Sequence, residues 1–173
     1  MSGRSRRSIV ALARPLACIG IALLVVSFIA GGCRQSDPLA EVEALQKGGH
    51  WEESVEKLRH LVDDAPTDAR LHLEYGKALM AVGDATRAIW PLRRASEDET
   101  FVEEAGVLLS MALLASGNAE DAIGAASTVL DRDANNARAL FARSRALLAE
   151  KREEEALADA EVLVAIEPED PQA

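Results

Sequence analysis

The chain has 173 residues, a formal net charge of −10, two cysteines and three histidines, and only 3% of its residues are aromatic. So few cysteines and histidines exclude a disulfide framework and disfavour a metal site with several ligands. A strongly acidic chain repels nucleic acid and anionic lipid headgroups, so neither is expected to bind its surface at large.

The charges are distributed unevenly along the chain. All four charged residues before Cys33 are arginines, at positions 4, 6, 7 and 14, whereas all 29 acidic residues follow it. An apolar run over residues 15–30 separates the two regions. A basic segment, an apolar segment and small residues before a cleavage point are the features of an export signal. Residues 5–9 also match a twin-arginine signal, although an ordinary basic segment is the preferred interpretation.

Two glycines directly precede Cys33. Small residues before a cysteine resemble the lipobox of bacterial lipoproteins, with the departure that Ala30 stands where leucine is usual. The resemblance implies that residues 1–32 are a signal peptide, that Cys33 is lipidated, and that 33–37 are this cysteine and a short tether. We expect attachment to the periplasmic face of the outer membrane. An uncleaved membrane anchor and simple secretion are the alternatives.

Beyond the tether the sequence repeats with a period of 34 residues, without insertion or deletion. The four copies cover residues 35–68, 69–102, 103–136 and 137–170. Aligning them produces a leucine column, a glycine column and a column of small residues, which we expect to pack the repeats together. These columns are Leu45, Leu79, Leu113 and Leu147; Gly49, Gly83 and Gly117; and Ser54, Ala88, Ala122 and Ala156.

In each copy the apolar spacing predicts two helices joined by a turn at the glycine column. The predicted helices cover residues 38–47, 51–63, 68–82, 85–96, 102–116, 119–131, 137–150 and 152–166. Pro91 lies inside the fourth helix, where we expect a kink and not a break. The small residues of the third repeat predict the loosest packing of the chain. Leu147 and Leu163 are the expected packing residues of the fourth repeat.

The repeat resembles the tetratricopeptide repeat, and the likeness covers residues 35–170. The residues that carry it most clearly, in the second copy, are Tyr75, Gly76, Leu79, Gly83, Ala88 and Leu92. The closing proline of the family is present at Pro66 and Pro168 and is replaced by Thr100 and Ala134 in the other copies. The resemblance implies an all-α, right-handed superhelical solenoid of four helix-turn-helix repeats over residues 38–170, with a concave and a convex side.

In this family the first helix of each repeat lines the concave side. The resemblance therefore implies a protein-binding groove formed by Arg70, Leu73, Lys77, Met80, Val107, Met111, Leu114, Arg138, Phe141, Arg145 and Leu148. Methionine adapts to varied side chains, and phenylalanine offers a rigid anchor. We expect a peptide segment or helix with apolar and acidic residues to bind there. The alternative is that half of the apolar residues are core between the repeats.

Signals of catalysis are missing from the sequence. There is no glycine-rich phosphate loop, no nucleophile elbow and no cysteine–histidine pair. The acidic cluster at 97–104 lacks the alternating carboxylates of a calcium loop. The histidines lack metal-ligand spacing, and we expect His60 and His72 on helix surfaces. We therefore expect a protein that is not an enzyme and binds no cofactor or metal.

These observations predict an envelope lipoprotein that acts as a scaffold for a multiprotein secretion or pilus machine. The architecture is similar to that of the tetratricopeptide lipoproteins of type IV and tight-adherence pilus systems, which help secretin pores to assemble. The alternative is a non-catalytic regulatory or docking subunit of a periplasmic cell-wall or polysaccharide enzyme. A third interpretation is self-association through the C-terminal end. There we expect the charged run 151–155 to cap the last helix, unless Leu157 and Val164 meet a partner.

Overall fold

A computed structural model describes residues 37–166, which form eight α-helices and no strand. The helices are α1 (Pro38–Lys47), α2 (Trp51–Asp64), α3 (Ala69–Ala81), α4 (Ala85–Ala95), α5 (Val102–Ala115), α6 (Ala119–Leu130), α7 (Ala137–Ala149) and α8 (Glu153–Ile166). Each helix contacts the next one along the chain, and α5 also contacts α3 and α7. Four consecutive pairs confirm the predicted helix-turn-helix repeats, and each end lies within one residue of its prediction.

The predicted signal peptide and lipidation site at Cys33 lie outside the described residues. Within 37–166, no helix combines the length and the apolar character needed to cross a membrane.

Four helices begin at a side chain that caps their first turn. Asp37, Asp68, Asp84 and Asn136 each accept a hydrogen bond from a backbone N–H that has no partner inside the helix. Such caps contribute about 1 kcal/mol each to stability. The helix starts are therefore determined locally by the sequence.

The turn inside each repeat uses the left-handed backbone region. Gly49, Gly83 and Gly117 have φ angles of 78°, 79° and 82°. The residue after each glycine donates its N–H to a leucine carbonyl, at 2.9 Å in all three turns. That leucine stands four positions before the glycine. This bond is the Schellman closure of a helix, and it explains why the leucine and glycine columns keep a constant spacing.

Lys151 occupies the glycine position of the fourth repeat and keeps the same conformation. Its φ is 60°, and the N–H of Arg152 bonds the carbonyl of Leu147 at 2.9 Å. A side chain with a β-carbon is strained by about 1–2 kcal/mol in this region. The rest of the repeat therefore imposes the turn on a residue that disfavours it.

The small-residue column lies where the two helices of a repeat approach each other. Ser54, Ala88, Ala122 and Ala156 are all buried. A β-carbon on Gly76 would lie 2.5 Å from the Leu92 side chain. The column thus marks close helix contacts, as predicted.

The third repeat does not have the loose packing that its small residues predict. Helices α5 and α6 bury more side chains than any other pair. A β-carbon on Gly106 would lie 2.6 Å from Cγ2 of Val129, and the Ser110 hydroxyl donates a 2.8 Å hydrogen bond to the Ala122 carbonyl. Small residues here bring the helices closer together instead of leaving voids.

Helix α4 continues through Pro91. Proline removes the hydrogen bond to the carbonyl of the residue four positions earlier, which is Arg87. Pro91, Leu92 and Ala95 are all buried, and this burial holds the helix together across the missing bond. The expectation that α4 would not break is confirmed.

A buried ion pair, and not Leu163, is the most buried side-chain contact of the last helix besides Ala156. Leu163 is only half-buried, whereas Asp159 is 5% exposed. The Arg143 guanidinium donates to both carboxylate oxygens of Asp159, at 2.8 and 2.6 Å, and to the Ser127 hydroxyl at 3.3 Å. Hydrogen bonding to Asp159 raises the pKa of Arg143 above its ordinary value. The pair connects α7 with α8 and with α6, and it corrects the assignment of Leu163.

His72 is buried, contrary to the prediction that it lies on a helix surface. It is 1% exposed, and its Nε2 donates a 2.9 Å hydrogen bond to the Pro66 carbonyl. Its ring meets Trp90 edge-on, with the ring centres 5.0 Å apart. The residue is buried because the turn before α3 and the side chain of Trp90 on α4 both cover it. His60 is exposed, as expected.

Replacing Lys151 with glycine should raise the free energy of unfolding by about 0.5–1 kcal/mol, because relief of left-handed strain exceeds the entropy cost of glycine. The matched control is Glu150→Gly, whose φ of −86° gives no such relief, so that this variant should be less stable. Urea denaturation followed by circular dichroism measures both. Equal destabilisation by the two substitutions would contradict the strain at Lys151.

Replacing Gly106 with alanine should lower the free energy of unfolding by about 1–3 kcal/mol, because the new methyl group overlaps the buried Val129. Gly124 is the control, since it lies in α6 with nothing within 4 Å of its β-carbon position. There alanine should stabilise by up to about 1 kcal/mol through its higher helix propensity. Denaturant unfolding that places Gly106→Ala at or above Gly124→Ala would refute the close approach of α5 and α6.

Candidate protein-binding groove

The side chains of α3, α5 and α7 share one surface, because these first helices contact each other. On that surface a pocket of about 270 Å³ is lined mainly by apolar residues. The lining residues are Met80, Met111, Leu114, Ala115, Phe141, Ala142 and Arg145.

A second pocket, of about 280 Å³, lies on the other side of Phe141. Its lining residues are Val107, Met111, Ala137, Arg138, Phe141 and Leu163. Met111 and Phe141 belong to both pockets, so they form the ridge between them. We call the two pockets together the concave groove.

The structure brings together seven of the eleven side chains predicted for this groove. They are Met80, Val107, Met111, Leu114, Arg138, Phe141 and Arg145. Leu163 also lines the groove but was assigned to packing, because it belongs to the second helix of its repeat. The end of α8 reaches the start of α7, which places Leu163 beside Arg138. Predicting the position of Leu163 would have required knowing how α7 and α8 pack antiparallel to each other.

Three predicted groove residues lie elsewhere or offer no surface. Leu73 is 2% exposed and belongs to the core between repeats, so its assignment to the groove is wrong. Leu148 is 57% exposed but lines neither pocket. Arg70 lies 3.8 Å from the Asp37 carboxylate, at the N-terminal end of the described repeats. Val107 does line the groove, but as a floor residue that is almost fully buried.

Lys77 is not available as a free cation. Its ammonium group lies 3.0 Å from the Glu74 carboxylate and 2.9 Å from that of Glu104. Burial, the largest single influence, lowers the pKa of Lys77. Hydrogen bonds to Glu104 and Glu74 act in the opposite direction and together outweigh burial, so the pKa lies above its ordinary value. The lysine is therefore charged and already neutralised by two carboxylates. Its predicted role in attracting an acidic ligand stays a prediction, and it would require this pairing to be exchanged for one with the ligand.

Two arginines supply the positive charge of the groove. The Arg145 guanidinium carbon lies 5.7 Å from the centre of the Phe141 ring, which is within cation–π range. Arg138 forms no ion pair with any residue between 37 and 166. These residues stand seven positions apart on α7, so two helical turns, or about 10.5 Å, separate them along the helix. The groove thus has an apolar floor with a cation towards each end.

Beside the groove lies a polar pocket of about 510 Å³ at the start of α5. It is lined by Glu99, Thr100, Glu103, Glu104, Val107, Asn136 and Arg138. Within the described residues no group of histidine, cysteine, aspartate or glutamate has the arrangement to hold a metal ion. The carboxylates here line the same pocket as Arg138, so they place negative charge beside the basic end of the groove. A ligand carboxylate would have to be placed at Arg138 itself.

Solved structures with the same fold include those of the proteins MamA and YrrB. MamA from Desulfovibrio magneticus RS-1 is 18% identical with a TM-score of 0.69, and the match covers 76% of this chain and 74% of that one. YrrB, described as a TPR protein with an unusual peptide-binding site, is 19% identical with a TM-score of 0.69, covering 75% of this chain and 66% of that one. These likenesses confirm the predicted solenoid fold. No curated protein sequence matches the chain.

The repeats themselves match a family model. The model described as tetratricopeptide repeat covers residues 39–99 and 107–172, which is more than half of the chain. The fold of this family is that of a protein–protein interaction scaffold. The chain belongs to the tetratricopeptide repeat family.

Proposed function

We propose that the protein is a lipid-anchored scaffold of the bacterial cell envelope. In this role it binds a segment of a partner protein in the concave groove, and so helps to assemble a multiprotein secretion or pilus machine. The observation that carries the binding step is the pair of apolar pockets on either side of Phe141, flanked by Arg138 and Arg145.

The groove favours a segment with two large apolar side chains and nearby carboxylates. Each pocket has a volume of about 270–280 Å³, which accommodates one leucine, methionine or phenylalanine side chain. Met80 and Met111 can adjust their rotamers to such side chains, while the Phe141 ring stays rigid. Acidic residues outside the two anchors would pair with Arg138 and Arg145, which selects against basic segments.

The envelope location rests on the sequence before the repeats. The arginines, the apolar run and the small residues before Cys33 together support export and lipidation. Two acyl chains attach a protein stably to a membrane, whereas one chain alone is marginal. A tether as short as residues 33–37 would keep the groove close to the membrane, where envelope machines assemble.

The partner is tested by replacing Met111 with a photocrosslinking amino acid in cells. We expect capture of a secretin or pilus protein, because Met111 lines both pockets. Glu52 is the control site, since it is exposed on α2 and forms no ion pair among residues 37–166. Adding Phe141→Ala to the protein with the crosslinker at position 111 should remove the adduct, because it removes the ring that separates the two pockets. Phe141 is half-exposed, so this substitution leaves the core intact.

The identity and the pattern of the adducts decide the outcome. A cell-wall or polysaccharide enzyme at Met111 would replace the assembly role with the alternative of a docking subunit. Equal labelling from Glu52, or adducts that persist after Phe141→Ala, would refute binding in the groove.

Lipidation is tested by growing cells with a labelled fatty acid. The wild-type chain should carry the label, and Cys33→Ser should lose it together with membrane attachment. Cys18→Ser is the matched control, because this cysteine belongs to the predicted signal peptide, and it should be labelled like the wild type. Label retained in Cys33→Ser would contradict the lipoprotein assignment.

A further inference from the structure

The outer face of α4 carries a basic and aromatic stripe that the groove does not use. We call Arg87, Trp90, Arg93 and Arg94 the basic stripe. All four are exposed, and α4 contains no acidic residue although the chain as a whole is strongly acidic. Trp90 is 55% exposed at the centre of this face. Tryptophan and arginine are the residue types most often found as binding hot spots.

The Trp90 side chain packs against a buried neighbour. His72, fully buried beneath it, contacts the indole edge-on at 5.0 Å. Its neighbour Pro91 removes the helical partner of the Arg87 carbonyl and so leaves an acceptor near the stripe. Two of the arginines have partners within the chain, since Arg87 pairs with Asp84 at 3.2 Å and Arg94 with Glu97 at 2.5 Å. Arg93 has none among residues 37–166.

The outer face of α8 has the opposite character. Glu154, Leu157, Glu161 and Val164 follow each other at spacings of three, four and three residues, which places them on one helix face. We call them the acidic stripe. Leu157 is 60% exposed and Val164 is 68% exposed. Helix α8 contains five acidic residues and no basic one. The charged run at its start pairs Arg152 with Glu155 and Glu120 and leaves these apolar side chains uncovered, contrary to the expected capping.

We propose that the acidic stripe of one copy binds the basic stripe of a second copy. Leu157 and Val164 would cover the Trp90 ring, and Glu161 and Glu154 would pair with the arginines, Arg93 above all. Each stripe therefore offers an apolar surface that the other can cover, together with charges opposite to those of the other. A different protein would need an acidic and apolar face to bind the basic stripe, and a second copy of this chain already carries one. The rest of the surface is acidic, which disfavours other pairings of two copies.

The two stripes lie on different repeats, so the contact joins unlike surfaces of the two copies. Such a contact leaves a free basic stripe on one copy and a free acidic stripe on the other. Further copies add head to tail, and each keeps its concave groove open. This assembly is independent of ligand binding in the groove and would array several grooves along the envelope.

The test is sedimentation velocity of the full chain in detergent, with Arg93→Glu and Glu161→Lys as variants. Both residues are exposed and unpaired among residues 37–166, so neither substitution removes a structural contact. The sedimentation coefficient of the wild type should rise with protein concentration and fall as the salt concentration is raised. Each variant alone should associate about tenfold more weakly or not at all.

An equimolar mixture of the two variants gives the decisive result. The intact acidic stripe of Arg93→Glu matches the intact basic stripe of Glu161→Lys, and the two altered stripes again carry opposite charges at the facing positions, so the mixture should regain the concentration-dependent association that each variant alone has lost. Arg132→Glu is the control, because it makes the same charge change on an exposed, unpaired residue outside α4, and it should behave like the wild type.

Three results would overturn the proposal. They are a wild-type chain that does not associate, variants that associate as the wild type does, and a mixture that stays monomeric. The second result would also assign any association to another part of the chain, such as the residues before the repeats.

Discussion

Each repeat turns through one residue in the left-handed backbone region, and the stacking of the helices depends on this turn. The N–H after the turn residue closes on the leucine carbonyl in all four repeats, so the two helices leave it at the same relative position. The small-residue column then faces the partner helix at its closest approach. Because the turn geometry repeats, a strained lysine is accepted at position 151.

Many basic side chains in this molecule are neutralised by nearby carboxylates. Two of the four basic side chains that the sequence offered to a ligand are already paired, Lys77 with Glu74 and Glu104 and Arg70 with Asp37. Besides the loop residues Arg132 and Lys151, unpaired positive charge among residues 37–166 lies at the ends of the concave groove and on the outer face of α4. An acidic scaffold with two such places can bind acidic partners there and repel them elsewhere, so its selectivity comes from where charge is left over.

The fourth repeat differs from the others in how it is held together. Its second helix buries only Ala156 and Asp159, and the bidentate pair with Arg143 replaces part of the apolar contact. A buried carboxylate is costly without its partner, so the pair fixes the register of α8 against α7. This arrangement releases the opposite side of α8, with its leucine and valine, for contact with another molecule.

The sequence by itself determined the repeat, the helix ends and most of the groove. Caps, left-handed turns and apolar spacing act over a few residues, and the 34-residue period carries them from one copy to the next. Periodicity also identified Met111, Phe141 and their neighbours, since the same face of successive first helices is read off directly.

Only the tertiary structure decided which of these side chains are exposed and which charges are free. Leu73 is buried by the neighbouring repeats, and His72 is covered by the turn at Pro66 and by Trp90. Lys77 is neutralised from a different repeat by Glu104. Burial and ion pairing depend on side chains that are distant in the chain and close in space, and a repeat pattern does not contain those distances.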